Sequence, residues 1–219
     1  MMFKNIKWQI RIVFIAWIIF LYFMVKPPFG FLILNTILGY IPIELSLELT
    51  NKHVKKSWIF WPILILWLIF YPNAPYLLTD LFHLSLLSPY TNEGLLRLSS
   101  NMWLSYSYLI ISALGCSLIG LYGLFKIVHE IKNKLHIKNK LFGITLIIIF
   151  NILASIGIYI GRFLRFHTIY LLLSPKLLIN PLINMWTPHM IVFVIILTII
   201  QTFVYWIINL IIKDAKNNF

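Results

Sequence analysis

The sequence predicts an all-α, polytopic integral membrane protein: a single transmembrane helical domain over residues 1–219, with about six crossings. Three observations predict it. Hydrophobic residues make up 61% of the chain and charged residues 11%, and the mean hydropathy is +0.91, a composition foreign to ordinary soluble domains. The apolar residues fall in runs long enough for a bilayer core of about 30 Å. The lysines fall between those runs, as they do in cytoplasmic loops. A formal charge of +12 therefore implies no nucleic-acid partner. Cys116 is the single cysteine, so no intrachain disulfide can form.

Lys4, Lys7 and Arg11 precede the apolar run Ile12–Val25. No small-x-small cleavage site stands before Lys26-Pro27-Pro28, so this run reads as a retained first span. The second run, Phe29 to about Leu47, is interrupted by Pro42 and carries Asn35 and Glu44. Glu44 and Glu48, beside Lys52, Lys55 and Lys56, read as a solvated acidic pair at the membrane boundary. Trp58–Phe70 is the third, short span.

At its end stands Tyr71–Leu84, YPNAPYLLTDLFHL. Pro72 and Pro75 lack an N–H and lock φ, so the arriving helix is expected to end there, with Asn73 and Ala74 in a turn. Thr79 and Asp80 are expected to start a new short helix, where either side chain can cap free N–H groups. Asp80 and His83, three apart, then share a helical face. Leu81–Leu87 suits a helix lying at the interface or re-entering it, and Ser88–Ser100 an exposed loop.

Met102–Val128 is the fourth span and Leu141–Ile160 the fifth. Ser112, Cys116 and Gly120 recur every fourth residue on the first of these, and Gly157 and Gly161 on the end of the second, so the two helices are expected to be neighbours. Asn151 and Ser155 suit interhelical hydrogen bonding better than a substrate path. Lys126–Lys140 reads as a solvated loop with His129 and His136 on its surface, and Arg162–Pro188 as a second loop of interest. Met190–Ile212 is the sixth span, with Thr198, Gln201, Thr202 and Tyr205 on roughly one face.

Lysine and arginine counts set the orientation. The amino terminus, the loop near Lys55, the loop near Lys134 and the carboxyl tail hold 13 of them, against 5 on the other side. Both termini are thus expected in the cytoplasm. Asp80, His83, Arg162, Arg165 and His167 then share the outer face, where two loops distant in sequence can meet.

PNAPY-x3-D-x2-H after a third span, with GRFLRF after a fifth, resembles a family of small bacterial multi-pass membrane proteins known only as a domain of unknown function. The resemblance covers nearly the whole chain, and implies this fold, a bacterial plasma membrane and no established activity. In that family the second motif continues with an aromatic and then Asn-Ser-Trp-Asp. Here Phe166 keeps the aromatic, and His167, Thr168, Ile169 and Tyr170 follow, with Tyr170 at the acidic position.

The candidate ligand-binding residues are Asn73, Tyr76, Asp80, His83, Arg162, Arg165 and His167. Two guanidinium groups can hold a phosphate or carboxylate, while Asp80 and His83 accept or shuttle a proton. Each also has a structural explanation: Asp80 as a helix cap, the arginines as cations at a helix C-terminus and interface, His83 as an interfacial residue. Asp80, His83 and His167 could supply three metal ligands, but no HExxH pair accompanies them, and neither a metal nor a cofactor is expected. Binding of an anionic lipid headgroup or small anionic solute from the bilayer's outer face is the expected function. An enzyme acting on a lipid-linked phosphate, or an assembly subunit docking a membrane-protein partner, are the alternatives.

Overall fold

The computed structural model describes residues 5–51, 54, 57–166 and 175–217. They form α1 (Ile6–Met24), α2 (Phe31–Leu49), α3 (Ser57–Phe70), α4 (Asn73–Asp80), a 3-10 segment (Leu81–Leu87), α5 (Ser100–Lys134), α6 (Lys140–Phe163), α7 (Pro175–Asn184) and α8 (Pro188–Asn217). Among the described residues there is no strand beyond a single bridge between Tyr90 and Leu96. Six segments are long and apolar enough to cross a bilayer: α1, α2, Trp58–Leu87, α5, α6 and most of α8. The chain is an all-α, multi-pass membrane protein.

The third crossing differs from the expectation. Asn73 opens α4 instead of lying in a turn, and Thr79 and Asp80 close that helix instead of capping a new one. Pro72 and Pro75 occupy the helix start, where the first N–H groups have no intrahelical acceptor and a proline loses nothing. Backbone groups at the break are accounted for: Ala74 N–H turns to Tyr71 O, and Asn73 Nδ2 donates to the carbonyl of Phe70 at 2.9 Å. The stretch expected at the interface or re-entering it, Leu81–Leu87, is the 3-10 segment and has no buried residue, whereas α4 before it is enclosed. Ala74, Pro75, Leu77, Thr79 and Asp80 are buried by packing against α2, α5 and α6, which is what a break in a membrane helix requires.

The small residues explain how α4 fits. α5 and α6 do touch, yet their small faces grip α4 instead of each other. A Cβ on Gly120 would come within 2.7 Å of Ala74 Cβ, and one on Gly157 within 2.6 Å of Pro72 Cγ. Cys116 packs with Leu77, and Ser117 Oγ donates to Ala74 O at 3.3 Å. Absent side chains let α4 approach both helix backbones at once.

Three other expectations change. Pro42 does not interrupt α2, which runs through it with the ring buried, because neighbouring helices shield a proline kink in a membrane helix. α5 continues to Lys134, through most of the supposed loop. No glycine or proline stops it there, and Lys132 and Lys134 suit the C-terminal dipole. Within the second loop, Pro175–Asn184 is helical, its Leu182 packed with Met185, Met190 and Val194.

At the centre, Trp67 stacks on Tyr71 with ring centroids 4.6 Å apart. Tyr71 OH donates to Asn151 Oδ1, Asn151 Nδ2 donates to Thr202, and Gln201 Nε2 donates to Ser155. These are the interhelical bonds expected of the Asn151 and Ser155 stripe.

Candidate functional site

α4 and α6 end on the same face of the bundle, and there Asp80 and Arg162 meet. Arg162 Nη2 donates to Asp80 Oδ1 at 2.6 Å. Asn35 Nδ2 of α2 donates to the other carboxylate oxygen at 2.8 Å. Asp80 is 1% exposed. A buried carboxylate is tolerable only with its charge balanced and its lone pairs occupied, and these two donors provide both.

The guanidinium is fixed as firmly. Nε and Nη2 both donate to Thr79 Oγ1, at 3.1 and 2.6 Å, while that hydroxyl donates to Tyr76 O at 2.7 Å. The plane lies over the Tyr76 ring, Cζ being 4.5 Å from its centroid. Gly161 makes room, since a Cβ there would sit 3.3 Å from Tyr76 Cε2. Arg162 also lies in the last turn of α6, where the helix dipole favours a cation. Its bonds to Thr79 and Asp80 engage Nε and Nη2 and leave Nη1 aside, and the side chain remains 20% exposed.

His83 joins from the 3-10 segment. Its Nδ1 lies 3.1 Å from Asp80 O and 3.7 Å from Asp80 Oδ1, and its ring centroid is 4.2 Å from that of Phe31. The ring is 29% exposed. Arg165 follows α6 with φ 56 and is exposed. A left-handed conformation in a non-glycine residue turns the chain sharply there.

Of the candidate residues, Tyr76, Asp80, His83 and Arg162 are thus brought together. Asn73 is not among them: it lies seven residues, about 10 Å, back along α4 from Asp80 and serves the Phe70 carbonyl. His167 lies outside the described residues. Asn35 and Thr79 are site residues that were not expected as such. Asn35 carried a signal, being an isolated amide in an apolar run, while Thr79 looked like a cap.

The opposite end of the bundle holds a second ionic cluster, where a solvated acidic pair was expected. Arg11 donates through Nε and Nη2 to Glu44 and through Nη2 to Glu48. Tyr40 OH donates to Glu44 at 2.7 Å, and Asn51 Nδ2 to Glu48 at 2.8 Å. The acidic pair is ion-paired and half-buried because α1 packs on α2 and brings Arg11 across.

Chemically, the site offers a partly exposed guanidinium and imidazole rather than an exposed carboxylate. Asp80 already accepts two donors and is closed off, while Arg162, His83 and Arg165 retain exposure. No curated protein and no solved structure matches the chain. Residues 34–204, which include α4 and Arg162, match the family described as Protein of unknown function (DUF1361), and the chain belongs to that family.

Proposed function

We propose that the protein binds an anionic lipid headgroup or a small anionic solute at the extracytoplasmic face of a bacterial plasma membrane, with both termini in the cytoplasm. The carrying observation is Arg162, held by Asp80, Thr79 and Tyr76 through one edge of its guanidinium. The pairing holds the cation in place at the end of the bundle, and a preorganised guanidinium loses little entropy on binding an oxyanion. His83 and the exposed Arg165 supply further donors. Catalysis on a lipid-linked phosphate, with Asp80 or His83 as base, is the weaker reading, because Asp80 is enclosed and leaves that role to the partly exposed His83 alone.

Protection of His83 from diethylpyrocarbonate, mapped by peptide mass spectrometry, reads this site locally. Inorganic phosphate or short-chain phosphatidylglycerol should slow modification of His83 in the wild type. In Arg165→Gln the same protection should need roughly tenfold more anion, the loss of one charge-assisted contact. Failure of both anions to protect His83 would remove the binding reading.

A further inference from the structure

At the end of the bundle opposite Arg162, a cavity of about 260 Å³ is lined by Lys7 of α1, Thr50 after α2, and Phe125, Lys126, His129 and Glu130 of α5. Its two ammonium groups are held in position. Lys7 Nζ donates to Leu47 O at 2.8 Å and Asn51 Oδ1 at 2.7 Å, which leaves one of its three N–H groups. Lys126 Nζ lies 4.4 Å from the centroid of the Tyr122 ring. Among the described residues neither ammonium takes part in an ion pair. Glu130 is the single carboxylate on the wall, so the cavity carries a net positive charge.

A second cavity of about 260 Å³ lies between the same two helices. It is lined by Ile10, Val13 and Trp17 of α1, with Ile111, Gly115 and Ile119 of α5 among its walls, and is almost wholly apolar. On α5 the two cavities share one face: Ile111, Gly115, Ile119, Tyr122 and Lys126 follow spacings of four, four, three and four. Trp17 Nε1 donates to Ser112 Oγ at 2.9 Å and ties α1 to α5 at the deep end. From Lys126 to Ile111 the rise is about 22 Å, one leaflet's depth including its headgroups.

We propose that these cavities form one site for an anionic glycerophospholipid of the leaflet at this end, its phosphate between Lys7 and Lys126 and an acyl chain along the α1–α5 groove. Charge selects the headgroup and the continuous apolar groove selects a lipid over free phosphate. Basic pockets between membrane helices hold anionic headgroups by this chemistry. The site is separate from Arg162 and stands whether or not that one binds.

The test is native mass spectrometry of the purified full chain in detergent, with phosphatidylglycerol or phosphatidylcholine added. Phosphatidylglycerol should be retained preferentially. Lys126→Gln should weaken it about fivefold, as expected for one lysine at an anionic headgroup, and Lys126→Arg should restore it. Gly115→Leu should also weaken retention by filling the groove, because a Cβ there meets nothing nearer than Phe14 Cζ at 3.8 Å and the remaining carbons extend into the groove; an unchanged melting temperature checks that the variant is folded. Lys138→Gln, exposed and outside the cavity, should change nothing. Equal retention of the two lipids, an equal loss in Lys138→Gln, no effect of Gly115→Leu, or displacement of phosphatidylglycerol by equimolar inorganic phosphate would each overturn the proposal.

Discussion

Arg162 Nη2 stands 2.6 Å from Asp80 Oδ1 across 82 residues of sequence, joining the end of α6 to the end of α4. Because α4 touches α2, α5 and α6, this pair fastens a helix that three others enclose. It ties the fold together and, under the binding proposal, also positions the cation, and the two roles are separable by experiment.

Asp80→Asn should lower stability by about 2–4 kcal/mol, seen as a clear drop in melting temperature in one detergent. Removing one partner of a buried pair leaves the other charge uncompensated, and the range is set below the full value because Arg162 is 20% exposed. Hydrogen bonding alone would not explain such a loss. An amide can still accept from Arg162, and Asn35 can turn its own amide to suit the new donor. An unchanged melting temperature would show that the carboxylate is not a tie, and would point to a group retained at a stability cost.

Gly157→Ala and Gly115→Ala should behave oppositely, although both lie within long helices. At Gly157 a Cβ would come within 2.6 Å of Pro72 Cγ and 2.8 Å of Pro72 Cβ, and a proline ring cannot swing away. α4 must shift, at a cost of about 1–3 kcal/mol. At Gly115 the nearest atom is 3.8 Å away, and the better helix propensity of alanine should stabilise by up to about 1 kcal/mol. Thermal unfolding of the two variants decides it, and equal melting temperatures would contradict the close packing of α4.

The architecture was legible to the extent that the bilayer dictates it. Runs of about 20 apolar residues can only be crossings, and loop parity alone brought Asp80 and Arg162 to one face. What the residues did not disclose is partnership. Ser112, Cys116 and Gly120 announce a face without saying what packs on it: α4 occupies it at Cys116 and Gly120, and Trp17 of α1 at Ser112. Pro72 and Pro75 read as breakers because a proline in mid-helix and a proline in a first turn look alike in one dimension. Glu44 and Glu48 looked solvated because Arg11, their partner, lies 33 residues from the nearer one.

Orientation gives a further prediction. A cysteine placed at Asn92, in an exposed stretch between the 3-10 segment and α5, should react with a membrane-impermeant maleimide added to intact cells. The native thiol will not interfere, since Cys116 is 0% exposed. Labelling only after the membrane is broken would invert the proposed orientation, and with it the side on which the proposed anion site opens.

Within the bundle, Asn151→Leu should be more destabilising than Gln201→Leu by about 1 kcal/mol, although both remove a buried amide. Asn151 accepts from Tyr71 OH and donates to Thr202, so its loss strands a phenol on a residue that is 0% exposed. Gln201 donates to Ser155, but among the described residues its Oε1 is a buried acceptor with no partner. Replacing it removes that unsatisfied atom along with one bond, and Ser155 keeps Asn151 O and Thr198 as partners. Average interhelical hydrogen bonds in membranes contribute only about 0.6 kcal/mol, so the difference rests on the stranded Tyr71 hydroxyl. Adding Tyr71→Phe should then recover much of the Asn151→Leu loss while costing little in the Gln201→Leu background. If the Phe substitution is equally costly in both backgrounds, the Tyr71–Asn151 bond does not organise this core.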